Sequence, residues 1–128
     1  MQVRTQLAVT LQAVVSQTLL PLADRPGRIP AFEIMIATPA IRSLIREAKT
    51  HQVYSMIETG SDYAMVSLDQ YLLKMLQKGL VSVEHAMAKS SNPKFLMQRY
   101  ERQQAEHAAF PNSRDAGTVK PTNGVGRQ

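Results

Sequence analysis

Residues 67–80 read Ser-Leu-Asp-Gln-Tyr-Leu-Leu-Lys-Met-Leu-Gln-Lys-Gly-Leu, and this stretch decides how the fold is interpreted. Ser67 followed by Gln70 is a capping-box pattern, in which each side chain satisfies a backbone N–H at a helix start. Gly79 followed by Leu80 is typical of a Schellman ending. The stretch therefore predicts a helix between these two signals. Its expected buried residues are Leu68, Tyr71, Leu72, Met75 and Leu76.

Similar start signals predict helices on both sides of this one. Thr38-Pro39 supplies an N-cap and a first-turn proline for one helix, and a short helix is expected over 50–59 with Gly60 as its stop. Ser82 caps another short helix, and Asn92-Pro93 starts the last one. The expected core-facing residues of these helices are Ile41, Leu44, Ile45, Ala48, Val53, Met56, Ile57, Val83, Ala86, Met87, Phe95, Leu96 and Tyr100.

The first 36 residues predict a helix followed by a β-hairpin. Apolar residues at helical spacing favour a helix over 2–18. The sequence Asp24-Arg25-Pro26-Gly27 is a strong turn signal inside a hairpin that runs from Leu19 to Ile36. Loose alternation predicts that one strand face is buried, formed by Phe32, Ile34 and Ile36.

Composition excludes several classes of protein. Of the 128 residues 44% are hydrophobic, and the absence of Cys excludes disulfides, thiolate catalysis and cysteine-ligated metals. No apolar run approaches the roughly 18–20 residues of a membrane span, so a soluble cytoplasmic protein is expected. The net charge is +5, but residues 94–128 hold six basic and three acidic residues, which concentrates the excess in the tail. A nucleic-acid partner is therefore not expected.

No complete active site is visible in the sequence. There is no G-x-x-x-x-G-K-[ST] phosphate loop, and the three histidines, His51, His85 and His107, lie far apart. The sequence therefore predicts no catalytic, cofactor-binding or metal residues. The outline from Leu68 to Ser90 resembles a helix-turn-helix, but Glu84 near the start of its second helix would repel phosphate, which favours a simple packing corner.

One polar constellation is more informative. It is the motif Ala40-Ile41-Arg42-Ser43-Leu44-Ile45-Arg46-Glu47, in which the two arginines are four residues apart, opposite the apolar stripe. Like charges at this spacing cost a few tenths of a kcal/mol in an isolated helix. Either the arginines form a solvated helix face, or they meet carboxylates, carbonyls or phosphates across an interface.

This motif, residues 40–47, resembles the A-I-R-N-L-I-R-E signature of the type IV pilus retraction ATPases, the PilT family of twitching motility. It departs from the signature at Ser43, where Asn is expected. Residues 11–21, 27–36, 49–54, 59–60, 67–70 and 78–80 continue the resemblance in order. The resemblance implies the C-terminal part of a RecA-like α/β ATPase domain, mainly α with one β-hairpin, whose catalytic core is missing.

The same resemblance implies an organisation and a role. Residues 1–37 would be a helix and hairpin remnant of the RecA-like domain, 38–108 a C-terminal helical subdomain and 109–128 a disordered tail. Arg42, Arg46 and Glu47 would contact a neighbouring domain or a partner in retraction, while Ile41, Leu44 and Ile45 anchor the helix. Full-length members bind ATP and Mg²⁺, form hexamers and act with pilus machinery at the cytoplasmic face of the inner membrane, peripheral to it.

The resemblance also implies that this chain is a C-terminal fragment. Because its sequence lacks the phosphate loop, we do not expect the chain alone to hydrolyse ATP. Two alternatives stay open at this stage. One is a fragment of a type II secretion or pilus assembly ATPase, which shares the RecA-like core. The other is a non-enzymatic helical module that binds protein or DNA.

Overall fold

The computed structural model describes residues 2–111, which form six α-helices, two short 3₁₀ turns and one antiparallel hairpin. The expected mainly helical chain with one hairpin is confirmed. The predicted tail, 109–128, lies almost entirely outside the described residues. The elements are α1 (Gln2–Thr10), β1 (Ala13–Pro21), β2 (Arg28–Ile36), α2 (Pro39–Arg46), a 3₁₀ turn (Thr50–Gln52), α3 (Val53–Glu58), a 3₁₀ turn (Ser61–Tyr63), α4 (Leu68–Gln77), α5 (Val83–Lys89) and α6 (Pro93–Ala109).

The predicted helix over 2–18 is wrong in its second half. Helix α1 ends at Thr10, and the residues after it form β1, which pairs antiparallel with the whole of β2. Val14 and Val15 are β-branched, so their χ1 preferences suit a strand better than a helix. The pairing, with Leu20 opposite Ile29, supplies backbone hydrogen bonds that no local pattern reveals.

The hairpin is more deeply buried on the face that the sequence did not predict. Ala31 and Met35 are the most buried residues of β2, whereas Phe32, Ile34 and Ile36 on the other face are half-buried. Both faces are used, because the Phe32 ring also meets the Tyr71 ring edge-on at 5.8 Å.

Two apolar clusters form the core. The larger one joins the hairpin to α4, α5 and α6, and the smaller one joins α1, β2, α2 and α3. Within residues 2–111 no helix has the length and apolar character needed to cross a membrane. The larger cluster contains Leu20, Ala31, Leu72, Leu73, Met75, Leu76, Val81, Ala86 and Leu96. The smaller cluster contains Ala8, Met35, Ile41, Ile45, Ile57 and Met65.

Helix α4 confirms the signals that predicted it. Ser67 Oγ accepts from Gln70 N at 3.2 Å, and Gln70 Oε1 accepts from Ser67 N at 3.0 Å, so both halves of the capping box are present. Gly79 takes a left-handed φ of +67°, and Leu80 N donates to Met75 O at 3.0 Å, which is the Schellman geometry. The ends of this helix are thus fixed by residues within a few positions of them.

The caps of the other helices are also as predicted. Side chains of Thr38, Ser82 and Asn92 each accept a backbone N–H from the first turn of α2, α5 and α6. Two core assignments are wrong, since Ala48 is exposed beyond the end of α2 and Phe95 is 48% exposed. The Phe95 ring instead lies under the Arg99 guanidinium at 5.7 Å.

The segment between α2 and α4 is less regular than predicted. A 3₁₀ turn occupies its first three residues and α3 only the next six. Gly60 does follow the helix, but its φ of −95° is available to any residue. Space explains the glycine, because a Cβ there would lie 2.8 Å from Met56 O and 2.9 Å from Met65 Cε.

We predict that the isolated chain self-associates through α1 and β1. Val15 is 61% exposed and Leu19 is 45% exposed, and in residues 2–111 the sheet has only two strands, so one edge of β1 is unpaired. Replacing both residues with Thr keeps the strand propensity and should reduce concentration-dependent association in sedimentation velocity. Phe110→Ser is the control, since Phe110 is 73% exposed but lies elsewhere. A wild-type monomer at all concentrations would contradict this expectation.

Candidate functional site

Helix α2 carries the motif of residues 40–47 and is held from one side. Ile41 is 0% exposed and Ile45 is 8% exposed, both within the smaller cluster, whereas Leu44 is only half-buried. Thr38 Oγ1 accepts from Ile41 N at 3.4 Å and caps the helix. An eight-residue helix is marginal by itself, so these contacts determine where it lies. The two isoleucines are therefore the main anchors.

The N-terminal end of α2 borders a cleft. Ala40 is exposed and lines this cleft of about 310 Å³ together with Met56 and Tyr63. Its lining is mostly apolar and contains no acidic or basic side chain. The charged residues of the motif lie further along the helix.

The helical spacing predicts that Arg42 lies on an outward polar face. In the structure Arg42 is instead half-buried against α1. Its Nη1 donates to Ala8 O at 2.6 Å and to Val9 O at 3.0 Å. These carbonyls belong to the last turn of α1, which has no intrahelical donors for them and carries the negative end of the helix dipole. A guanidinium is well suited to that position.

Arg46 has a different environment. Its side chain is exposed and within residues 2–111 makes no hydrogen bond or salt bridge, while its charge acts on the neighbouring Glu47 carboxylate and helps to lower the pKa of Glu47. The two arginines of the motif are therefore separated by the structure, one used inside the chain and one facing solvent.

Glu47 is held by contacts within the motif and just after it. Ser43 Oγ donates to Glu47 Oε1 at 3.2 Å, and Lys49 Nζ lies 2.9 Å from Glu47 Oε2. The hydrogen bond from Lys49 holds the pKa of Glu47 below its ordinary value of 4.5, and the Ser43 hydroxyl adds to the effect. Both carboxylate oxygens are thus engaged by the chain itself.

Helix α2 ends without the usual glycine. Ala48 has a left-handed φ of +58°, its N–H donates to Ile45 O at 3.2 Å, and Lys49 N donates to Leu44 O at 2.9 Å. This is a Schellman ending with Ala at the position where Gly is preferred. The turn brings Lys49 next to Glu47, a proximity that the sequence gives no signal for.

Sequence reasoning also missed a buried carboxylate. Asp69 is 5% exposed and accepts from Ser90 Oγ at 2.8 Å, Ser91 N at 3.0 Å and Asn92 N at 3.1 Å. It therefore fixes the turn between α5 and α6 to the start of α4. Burial and the charges of Asp69 and Glu58 also raise the pKa of Tyr54.

Of the three histidines, His85 has a structural contact. His85 Nδ1 lies 2.8 Å from Ser82 Oγ, so this histidine belongs to the cap of α5. In the described part of the chain no group of three or more His, Asp or Glu is arranged to hold a metal ion. The α4–α5 corner exposes Glu84 near the start of its second helix, which does not favour a DNA-reading role.

We predict that Lys49→Gln raises the pKa of Glu47 toward its ordinary value, measured by NMR titration of the carboxyl carbon. A lowered folded-state pKa gives stability that is present above the unfolded pKa and is lost as the pH falls through the folded value. The pair is half-exposed, so the linked change in stability is small. Arg46→Gln is the control and should raise this pKa less. Equal shifts in the two variants would contradict the ion-pair assignment.

The chain is similar to several known proteins. No protein-family model matches the chain. The type IV pilus retraction ATPase PilT of Pseudomonas aeruginosa is 50% identical over 91 residues, which are 71% of this chain and 26% of that protein. A twitching motility protein of Neisseria gonorrhoeae is 42% identical over 90 residues, 70% of this chain and 24% of that protein.

A solved structure agrees with these relatives. The crystal structure of the pilus retraction motor PilT with bound ADP matches with a TM-score of 0.63 and 40% identity, over 76% of this chain and 26% of that one. The chain thus spans about a quarter of the length of the relatives that it matches. Neither the secretion or assembly ATPase nor the non-enzymatic module is favoured. The chain belongs to the PilT family of type IV pilus retraction ATPases and matches the C-terminal region of such a protein.

Proposed function

We propose that this chain serves pilus retraction, and that the C-terminal end of α2 makes the contact through which it does so. One observation carries the proposal: the Arg46 side chain is exposed and makes no hydrogen bond or salt bridge within residues 2–111, on a helix that Ile41 and Ile45 anchor firmly. A free guanidinium on a fixed helix is a pre-positioned donor. The relatives named for retraction and twitching motility support the same role.

The charge at this end of α2 indicates what it contacts. Glu47 and Lys49 neutralise each other at 2.9 Å, which leaves Arg46 as the net charge. A guanidinium fork pairs best with planar acceptors such as carboxylates and backbone carbonyls. The proposed contact is therefore an acidic or carbonyl-rich surface on a neighbouring domain or a partner protein of the pilus machinery.

We also propose that nucleotide chemistry belongs to the part of the relatives that this chain does not span. The sequence contains no phosphate loop, whereas one solved relative binds ADP. ATP and Mg²⁺ would then act outside this region. The region would work within a hexameric motor at the cytoplasmic face of the inner membrane, peripheral to the bilayer.

We expect the isolated chain to show no ATP turnover, because the backbone cradle and lysine that hold phosphates in such ATPases are absent from its sequence. Phosphate release should equal the buffer background at every protein concentration tested. The full-length Pseudomonas aeruginosa relative, purified in parallel, is the positive control. Turnover that rises in proportion to the chain and survives further purification would refute the expectation.

The retraction role predicts that Arg46→Gln, placed at the matching position of the full-length Pseudomonas aeruginosa relative, abolishes twitching and pilus retraction. ATP hydrolysis and assembly should stay near wild type, because no phosphate-binding motif lies in or beside α2. Lys49→Gln is the matched control, since it removes an equal charge that is already paired. Its effect on retraction should be small.

Two results would contradict the proposed role of Arg46. One is normal retraction by the Arg46→Gln protein. The other is a loss of ATP hydrolysis in proportion to retraction, which would place the defect in the motor cycle or in folding. Retraction assays and phosphate release must therefore be measured on the same preparations.

A further inference from the structure

Helix α1 has little that would keep it in place by itself. It has nine residues, and isolated helices shorter than about 12–15 residues are marginal in water. Its only buried residue is Ala8, while Val3, Leu7 and Val9 are exposed. It has no basic residue in its last turn to complement the helix dipole. An attachment from another element is therefore decisive for α1.

That attachment comes from Arg42, in the motif of residues 40–47. Leu7 O accepts from Leu11 N at 2.9 Å, whereas Ala8 O and Val9 O receive the two hydrogen bonds from Arg42 Nη1. Arg42 supplies donors to these two carbonyls and positive charge to a helix end whose last turn has no basic residue. Charge-assisted hydrogen bonds are roughly twice as strong as neutral ones.

Apolar packing also joins α1 to α2. Ala8 and Ile41 are both fully buried in the smaller cluster, and Ile41 is the residue just before Arg42. Packing and hydrogen bonding thus join α1 and α2 at one place. The clamp also explains how two arginines four residues apart coexist, since the charge of Arg42 is engaged by the end of α1.

We propose that Arg42 is a positioning residue, which clamps α2 to the end of α1 so that the two helices form one unit and α2 holds the motif of residues 40–47 in a fixed position. Arg46 then presents its charge from a helix whose position depends on α1. The clamp follows from this structure alone, whereas its importance for retraction rests on the proposed function. The two parts are tested separately.

Hydrogen exchange on the full chain tests the clamp. Arg42→Gln should speed exchange of the α1 amides about tenfold or more, as expected for loss of a charge-assisted bond, while α4 amides stay protected and show that the core is folded. Arg46→Gln is the matched control and should leave α1 unchanged. Both hydrogen bonds of Arg42 come from one nitrogen, and Arg42→Lys keeps the charge with its donors on one nitrogen, so it should restore part of the protection.

The clamp would be refuted if Arg42→Gln and Arg46→Gln gave the same α1 exchange as wild type. It would also be refuted if Arg42→Gln exposed α4 as much as α1, because the effect would then be global unfolding. A selective change in α1, partly reversed by Arg42→Lys, supports it.

The full-length Pseudomonas aeruginosa relative tests the positioning role. Arg42→Gln at the matching position should lower retraction at unchanged ATP turnover, and Arg42→Lys should retain retraction. A merely structural role would lower retraction and turnover together, and that result overturns the proposal. If Arg42→Gln stops retraction while Arg46→Gln does not, the proposed contact through Arg46 fails, and the clamp itself is then judged by hydrogen exchange alone.

Discussion

The buried start of α4 joins the parts of this molecule. Ser67 is 0% exposed, and its Oγ donates to Glu58 Oε1 at 2.6 Å, while Leu68 N donates to Glu33 Oε2 at 2.9 Å. Carboxylates from α3 and β2 thus meet the positive end of α4, where unpaired N–H groups would be costly to bury. Met65 lies in the smaller apolar cluster and Leu68 packs on the larger one, so this junction links the two.

The motif helix depends on that arrangement for its position. The smaller cluster that holds Ile41 and Ile45 also contains Met65, just before the start of α4. With its apolar side fixed, the helix can place its polar residues in only one way. Arg42 then reaches the end of α1 and Arg46 faces solvent, so two like residues at regular spacing have different surroundings.

Whether the sequence could predict a feature depends on how far apart in the sequence the interacting residues are. The caps at Thr38 and Ser67 and the turn at Gly79 involve groups within a few positions of each other, and all were predictable. Strand β1 and the contacts of Arg42 were not, because their partners are far away in the sequence: Arg42 and Ala8 are 34 positions apart. The motif was therefore recognisable, whereas the separate environments of its arginines required the fold.

The departure from the family motif at residue 43 is compatible with the separate environments of Arg42 and Arg46. Ser43 keeps a hydroxyl donor for Glu47 Oε1, and Lys49 occupies the other carboxylate oxygen. An exposed pair of this kind contributes little to stability. Its consequence lies in the distribution of charge, because it neutralises Glu47 beside Arg46. The exposed end of α2 therefore presents a positive charge rather than a mixed one, and Ser43, Glu47 and Lys49 determine that locally.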